Sequence, residues 1–199
     1  MYEIVVVGTS WGGLSALSTV VAGLPPTFGI PLVVVQHRGP DAAGLLAELL
    51  QARTALAVVE VDDKQSFAPG HVYVAPPNYH LLIERGFFSL STDPPVRYSR
   101  PSIDVTFVSA ADEYGRRTIG IVLTGANQDG AAGLKRIADR GGHAIVQEPA
   151  SAESSIMPQA ALRLVPTARV LPLNRIASHL VRIAPPRPPL RDHAGVRVT

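Results

Sequence analysis

Three short apolar runs, residues 4–7, 31–35 and 119–123, each end directly in a turn built from glycine and polar residues. The turns read Gly8-Thr9-Ser10-Trp11-Gly12-Gly13, Gln36-His37 and Gly125-Ala126-Asn127-Gln128-Asp129-Gly130. Apolar runs of this length, bounded by turn residues, are the pattern of strands buried on both faces, as in a parallel sheet covered by helices. In such an open sheet the segments just past the carboxyl ends of the strands gather at one rim, where ligands bind. The pattern predicts an α/β chain, doubly wound, with helices on both faces of a mostly parallel sheet. It also delivers a serine, a histidine and an aspartate to one rim, the parts of an acyl-transfer triad.

Composition narrows the chemistry. The 199 residues suit one domain around one core, and 46% hydrophobic content is ample for a sheet covered on both sides. Acidic and basic residues nearly cancel, 16 against 18, so the pI near 9.2 reflects a small excess of base rather than a basic run. Clustered Lys and Arg would mark a nucleic-acid surface, and none is expected here. The absence of cysteine excludes thiol nucleophiles, thiolate metal sites and disulfides. Six histidines occur without an HExxH or HxxEH spacing, so neither a metal nor another cofactor is expected. The chain opens almost at once on a strand, without the regions of a secretory signal, and has no apolar stretch of membrane-spanning length. The expected location is the cytoplasm.

Along the chain, helices are predicted near residues 12–22, 41–53, 103–114, 130–139, 158–164 and 174–183. The second should carry Leu45, Leu46, Leu49 and Leu50 on one face. Further strands are expected at 57–61, 143–147 and 168–171. The middle of the chain changes character: runs at 71–75, 79–84 and 87–91 read together as an antiparallel hairpin insertion beside the parallel sheet, with Arg85-Gly86 as its turn. Residues 93–102, rich in proline and polar groups, should form a loop near the rim. The domain is expected to span 1–184, followed by a mobile Pro/Arg-rich tail over 185–199.

The first turn has rival readings. A dinucleotide fingerprint needs glycine where Ser10 stands, and no phosphate-cradling lysine follows. A nucleophile elbow places a serine on a sharp strand-to-helix turn, and Gly8, Gly12 and Gly13 leave the room it needs. The helix beginning beside Ser10 would set its first amides, including that of Trp11, near developing negative charge. A glycine-rich turn that merely packs a helix onto a strand accounts for the same residues. His37 could equally be a rim histidine, and Asp129 before Gly130-Ala131-Ala132 an N-cap. The order Ser, His, Asp differs from the Ser, Asp, His order of α/β-hydrolases.

The chain resembles the chemotaxis-type protein-glutamate methylesterases, the CheB catalytic domain, over about residues 5–183. The motifs that carry this are Val7 to Gly13, Val35-Gln36-His37, Pro69 to Pro77, His80-Leu81-Leu82, Arg100 to Asp104, Leu123-Thr124-Gly125, Asp129-Gly130-Ala131, Met157-Pro158 and Leu171-Pro172-Leu173. The resemblance implies a sheet of about seven strands with an antiparallel hairpin. It implies hydrolysis of glutamyl methyl esters on receptor signalling helices, with deamidation of some glutamines. It carries over Ser10 as nucleophile, His37 as general base and Asp129 as the group orienting it, with the backbone at Trp11 and Ala126 as oxyanion donors. The implied partner is the helical bundle of a methyl-accepting receptor, and Arg38, Tyr98 and Arg100 are candidate contacts to its carboxylates.

Two local departures stand out. The family's third turn usually runs Leu-Thr-Gly-Met-Gly-x-Asp-Gly, and here Ala126-Asn127 replace Met-Gly. Trp11 stands where some members carry a hydroxyl residue. The typical member also has an N-terminal receiver domain, whereas this sequence begins at the first catalytic strand, as a stand-alone member or an excised domain would. Two alternatives to the methylesterase stay open: a catalytically silent module that binds a signalling protein through the same rim, and an esterase for another ester.

Overall fold

The structure, a computed structural model, describes residues 1–39 and 44–184. The tail expected over 185–199 lies outside the described residues, as does the start of the second predicted helix. Nine strands are described: β1 (Ile4–Thr9), β2 (Leu32–Gln36), β3 (Ala57–Glu60), β4 (His71–Val74), β5 (His80–Ile83), β6 (Phe88–Ser91), β7 (Thr118–Val122), β8 (His143–Gln147) and β9 (Arg169–Leu171). The helices are α1 (Gly13–Ala22), α2 (Leu45–Gln51), α3 (Ile103–Tyr114), α4 (Ala131–Asp139), α5 (Ile156–Leu164) and α6 (Leu173–Ile183). No described helix is long and apolar enough to cross a membrane.

Seven strands form one parallel sheet in the order β3-β4-β2-β1-β7-β8-β9. Side chains alternate between its faces, as the pleat requires. Ile4 and Val6 of β1 join the core against α3 and α4, while Val5 and Val7 join the core against α1 and α6. All four are fully buried, each contributing roughly 1.5–3 kcal/mol by leaving water. The chain winds from β1 to β2 through α1 on one face and from β7 to β8 through α4 on the other. Adjacent strands β1 and β7 are therefore followed by helices on opposite faces. That divergence opens a crevice at their carboxyl ends, the topological switch point.

The doubly wound sheet and the hairpin are as predicted, with one reassignment. The run at 71–75 is not part of the antiparallel insertion: β4 lies inside the main sheet, parallel to both β2 and β3. Val72 and Val74 are buried on one face and Tyr73 on the other, so both faces are covered and the run looks like its neighbours. Only β5 and β6 form the antiparallel pair, turning at Gly86 with φ 90°. They pack on α3, where Thr106 Oγ1 donates to the Leu81 carbonyl at 2.7 Å. The four-leucine face of α2 is also split: Leu46 and Leu50 are buried, whereas Leu45 and Leu49 are exposed. Residues four apart share a side, and only one such pair meets the sheet.

Candidate active site

Register brings the first two candidate residues together. Thr9, the last residue of β1, pairs with Gln36, the last of β2, and the His37 amide continues the ladder by donating to the Thr9 carbonyl at 3.2 Å. Ser10 and His37 are thus the next residues on adjacent strands. The Ser10 amide donates to the Thr124 carbonyl at 3.0 Å, tying it to the turn after β7. Thr124 knits the rim together: its carbonyl also accepts from Thr9 Oγ1, its own hydroxyl donates to the Trp11 carbonyl, and it accepts the Ser154 amide.

Asp129 enters from the third turn and is fully buried. His37 Nε2 donates to its Oδ2 at 2.7 Å, and the Ile103 amide donates to the same oxygen at 2.7 Å. Its Oδ1 accepts from Ser102 Oγ, from the Asp104 amide and from the Gly130 amide, each at 3.0 Å. Burial alone pushes this carboxyl up; the hydrogen bonds from His37 and from the amides of Ile103 and Asp104 outweigh it and hold the group below its ordinary value. Asp129 stays ionised as a result.

The N-cap expectation for Asp129 is corrected in one respect. Asp129 does not cap its own helix, whose capping position is Gly130; it supplies the missing acceptors to the first turn of α3. Asp104, in that turn, returns the favour by accepting the Gly133 amide of α4 at 2.7 Å. Two helix starts thus exchange carboxylates. Burial pushes Asp104 up, partly countered by Gly133, and the Asp129 charge pushes the same way. This crossing needs α3 close to the rim. Gly8 and Gly130 permit it, because a Cβ at either would collide with Ile103 Cγ2, and Gly130 also sits at φ 88°. The room left by Gly8 serves Ile103 rather than a substrate.

Ser10, Trp11, His37 and Ala126 line one cleft of about 1000 Å³ that runs along α1. Trp11 is 65% exposed on its wall. Neither the Trp11 nor the Ala126 amide has a hydrogen-bond partner among the described residues. Asn127 does not adopt a left-handed backbone, and its Oδ1 accepts the Asp129 amide at 3.0 Å.

The three candidate substrate contacts separate. All line a smaller cavity of about 490 Å³ on the other side of His37. Arg38, with 7% of its side chain exposed, donates to Glu60 at 2.7 Å and to the Ala75 carbonyl at 2.6 Å, bracing the ends of β3 and β4. Arg100 is spent on the carbonyls of Thr92 and Asp93 and on Asn78 Oδ1, which hold the 93–102 loop. Both guanidiniums are thus bonded within the protein, while the buried Arg100 Nε has no hydrogen-bond partner among the described residues. Tyr98 is fully exposed at φ 64° and alone of the three presents its side chain outward.

Ser102, Thr124 and His80 lie within the motifs quoted above, yet only the fold gives each its part in the site. His80 Nδ1 accepts the Ser102 amide at 3.1 Å, fixing the residue whose hydroxyl donates to Asp129. The run Arg100 to Asp104 was the available signal: a serine and two amides at a helix start look for an acceptor. Among the described residues, no cluster of three or more His, Asp or Glu could hold a metal.

A model of the family described as CheB methylesterase matches residues 5–180. A protein of Leptospira interrogans, named provisionally as a protein-glutamate methylesterase/protein-glutamine glutaminase, is 45% identical over 183 residues, covering 92% of this chain and 95% of that protein. The protein-glutamate methylesterase FrzG of Myxococcus xanthus is 39% identical over 182 residues, 91% of this chain and 54% of its own. The chain therefore spans about half the length of FrzG. The crystal structure of the Thermotoga maritima CheB methylesterase catalytic domain superposes with a TM-score of 0.88 at 34% identity, over 92% of this chain and 99% of that one. Since the matched span runs from β1 into α6 and encloses the whole rim, the chain belongs to the CheB methylesterase family of hydrolases.

Proposed function

We propose that the chain is a protein-glutamate methylesterase that hydrolyses glutamyl methyl esters on the signalling helices of a methyl-accepting receptor. The observation that carries this is a buried, ionised Asp129 gripping His37 Nε2 at 2.7 Å on the wall of the cleft that holds Ser10. Family membership and the names of the relatives support the same substrate class.

Ser10 Oγ attacks the ester carbonyl carbon while its proton passes to His37. Nε2 is committed to Asp129, so the receiving nitrogen is Nδ1, the reverse of the serine-protease arrangement. The amides of Trp11 and Ala126, without partners within the described chain, stabilise the oxyanion. Collapse of the tetrahedral intermediate breaks the bond to methoxide, which takes the Nδ1 proton and leaves as methanol. Water then attacks the acyl-enzyme, giving its proton to Nδ1; that proton returns to Ser10 as the glutamate carboxylate departs. The same route on a glutamine amide releases ammonia, in keeping with the glutaminase half of the Leptospira relative's name.

The test is methanol release from a methylated receptor signalling fragment, comparing the wild-type chain with Ser10→Ala. Release that drops about 10⁴-fold or more in the variant supports the assignment. Equal release from both removes Ser10 as nucleophile. No release from folded wild type shifts the substrate to another ester or the role to binding alone.

A further inference from the structure

Asn127 touches the proposed machinery but has no part in the chemistry above. Its side chain is held at both ends: Oδ1 accepts the Asp129 amide at 3.0 Å, and Nδ2 lies 3.1 Å from His37 Nδ1. The first bond settles which end is which, because only the amide oxygen can accept from a backbone N–H. The group facing the ring is therefore NH2, which can only donate. His37 Nδ1 must present its lone pair, and the ring proton sits on Nε2, where Asp129 receives it. Ser99 Oγ stands 3.5 Å from the same Nδ1, at the outer limit of a bond. Among the described residues, the hydrogen bonds of the ring run to Asp129, Asn127 and Ser99, and none runs to Ser10.

We propose that Asn127 is a latch on the general base: its amide holds the His37 Nδ1 lone pair in the resting protein, and substrate engagement must release it before Ser10 can be deprotonated. The latch rests on the assignment of Ser10 and His37 given above. It makes Asn127 a positioning residue, acting on the chemistry through His37 while its other end holds the Asp129 amide. It has the right strength for the task. One neutral hydrogen bond, exchanged for one to the incoming Ser10 hydroxyl, restrains the base without locking it. The family's usual glycine at this position has no side chain to do this, so the latch belongs to this chain's Ala126-Asn127 departure.

Two readouts test it on the 199-residue chain. The first is ¹⁵N-histidine NMR of wild type, Asn127→Ala and Asn127→Ser. Serine keeps an acceptor for the Asp129 amide but is too short to reach the ring, so it controls for loss of the local turn. In both variants the His37 Nδ1 resonance should move toward that of an unbonded acceptor nitrogen. An unchanged resonance overturns the latch, whatever the activity. The second readout is the acylation burst with p-nitrophenyl acetate, in which Ser10 Oγ forms the acetyl ester, p-nitrophenolate leaves and the hydroxyl proton goes to Nδ1. Both variants should show a burst rate about fivefold above wild type, the factor expected when one neutral hydrogen bond no longer competes. A Ser10-dependent burst with equal or slower rates in the variants overturns the latch alone. A burst absent from wild type and Ser10→Ala alike overturns the triad assignment and the latch with it.

Discussion

Asp129→Asn preserves shape and removes one acceptor, and the structure permits its cost to be worked out. The carboxylate accepts five hydrogen bonds, two on Oδ2 from His37 and Ile103 and three on Oδ1 from Ser102, Asp104 and Gly130. An amide has one oxygen. Placed at Oδ1, it satisfies three donors and turns its NH2 against the Ile103 amide and against His37. Placed at Oδ2, it leaves three donors facing an NH2. The first arrangement costs less. The Ile103 amide is then a buried, unsatisfied donor at about 1–3 kcal/mol, and the lost charge weakens the remaining bonds, for roughly 2–4 kcal/mol in all. In a chain of this size that lowers the melting temperature by on the order of 10 °C. The NH2 also removes the acceptor that keeps the ring proton on Nε2 and leaves both ring nitrogens facing a donor, so Nδ1 is no longer held as the base that takes the Ser10 proton. Methanol release should fall about 10³- to 10⁴-fold. The assay pairs methanol release with thermal unfolding below the variant's midpoint. Normal turnover in a destabilised variant would refute the catalytic part of the reasoning and leave Asp129 as a cap for α3.

Other outcomes follow from neighbouring contacts. Gly8→Ala should cost about 1–3 kcal/mol and reduce activity as well, since its Cβ pushes Ile103 and the first turn of α3 away from Asp129; chemical denaturation and methanol release should fall together. Trp11→Ala removes an exposed wall of the cleft, so KM for a methylated helical substrate should rise about tenfold while the small-ester burst is unchanged; a parallel loss on both substrates would contradict a wall role. His143 and His179 meet at 3.1 Å, and both are held below the usual histidine value of 6.5, first by burial and then by charges including Arg169. Their folded values lie below the unfolded one, so the contribution is present above pH 6.5 and is lost as pH falls through the folded values. Urea midpoints at pH 8 and pH 5 should therefore diverge less in His179→Gln than in wild type.

The sheet, its rim and the residues delivered there were legible in the amino-acid pattern. Apolar runs, their length and the glycine turns that end them are local properties, and a strand buried on both faces hardly has another home. Ser10 and His37 follow directly from that, because each is the first residue past a strand whose end the turn chemistry marks. The same local logic failed for the 71–75 run, since a short apolar stretch carries no sign of parallel or antiparallel pairing; the partners β2 and β3 decide it. Leu45 and Leu49 fit the helical period yet stay exposed, because the period says which residues share a face and not whether anything covers it.

What each polar group bonds to was settled by the fold. Asp129 meets the start of α3 across 26 positions of chain and His37 across 92, and the close approach of Ile103 to Gly8 and Gly130 fixes those pairings. Arg38 and Arg100 look free in a sequence but bond to carbonyls and to Glu60 and Asn78, which the fold places within reach. The orientation of the His37 ring and its bond to Asn127 depend on distances set by three separate turns. Hydrophobic periodicity is encoded residue by residue along the chain; hydrogen-bond partnership is settled only when the buried donors and acceptors of a finished fold must find one another.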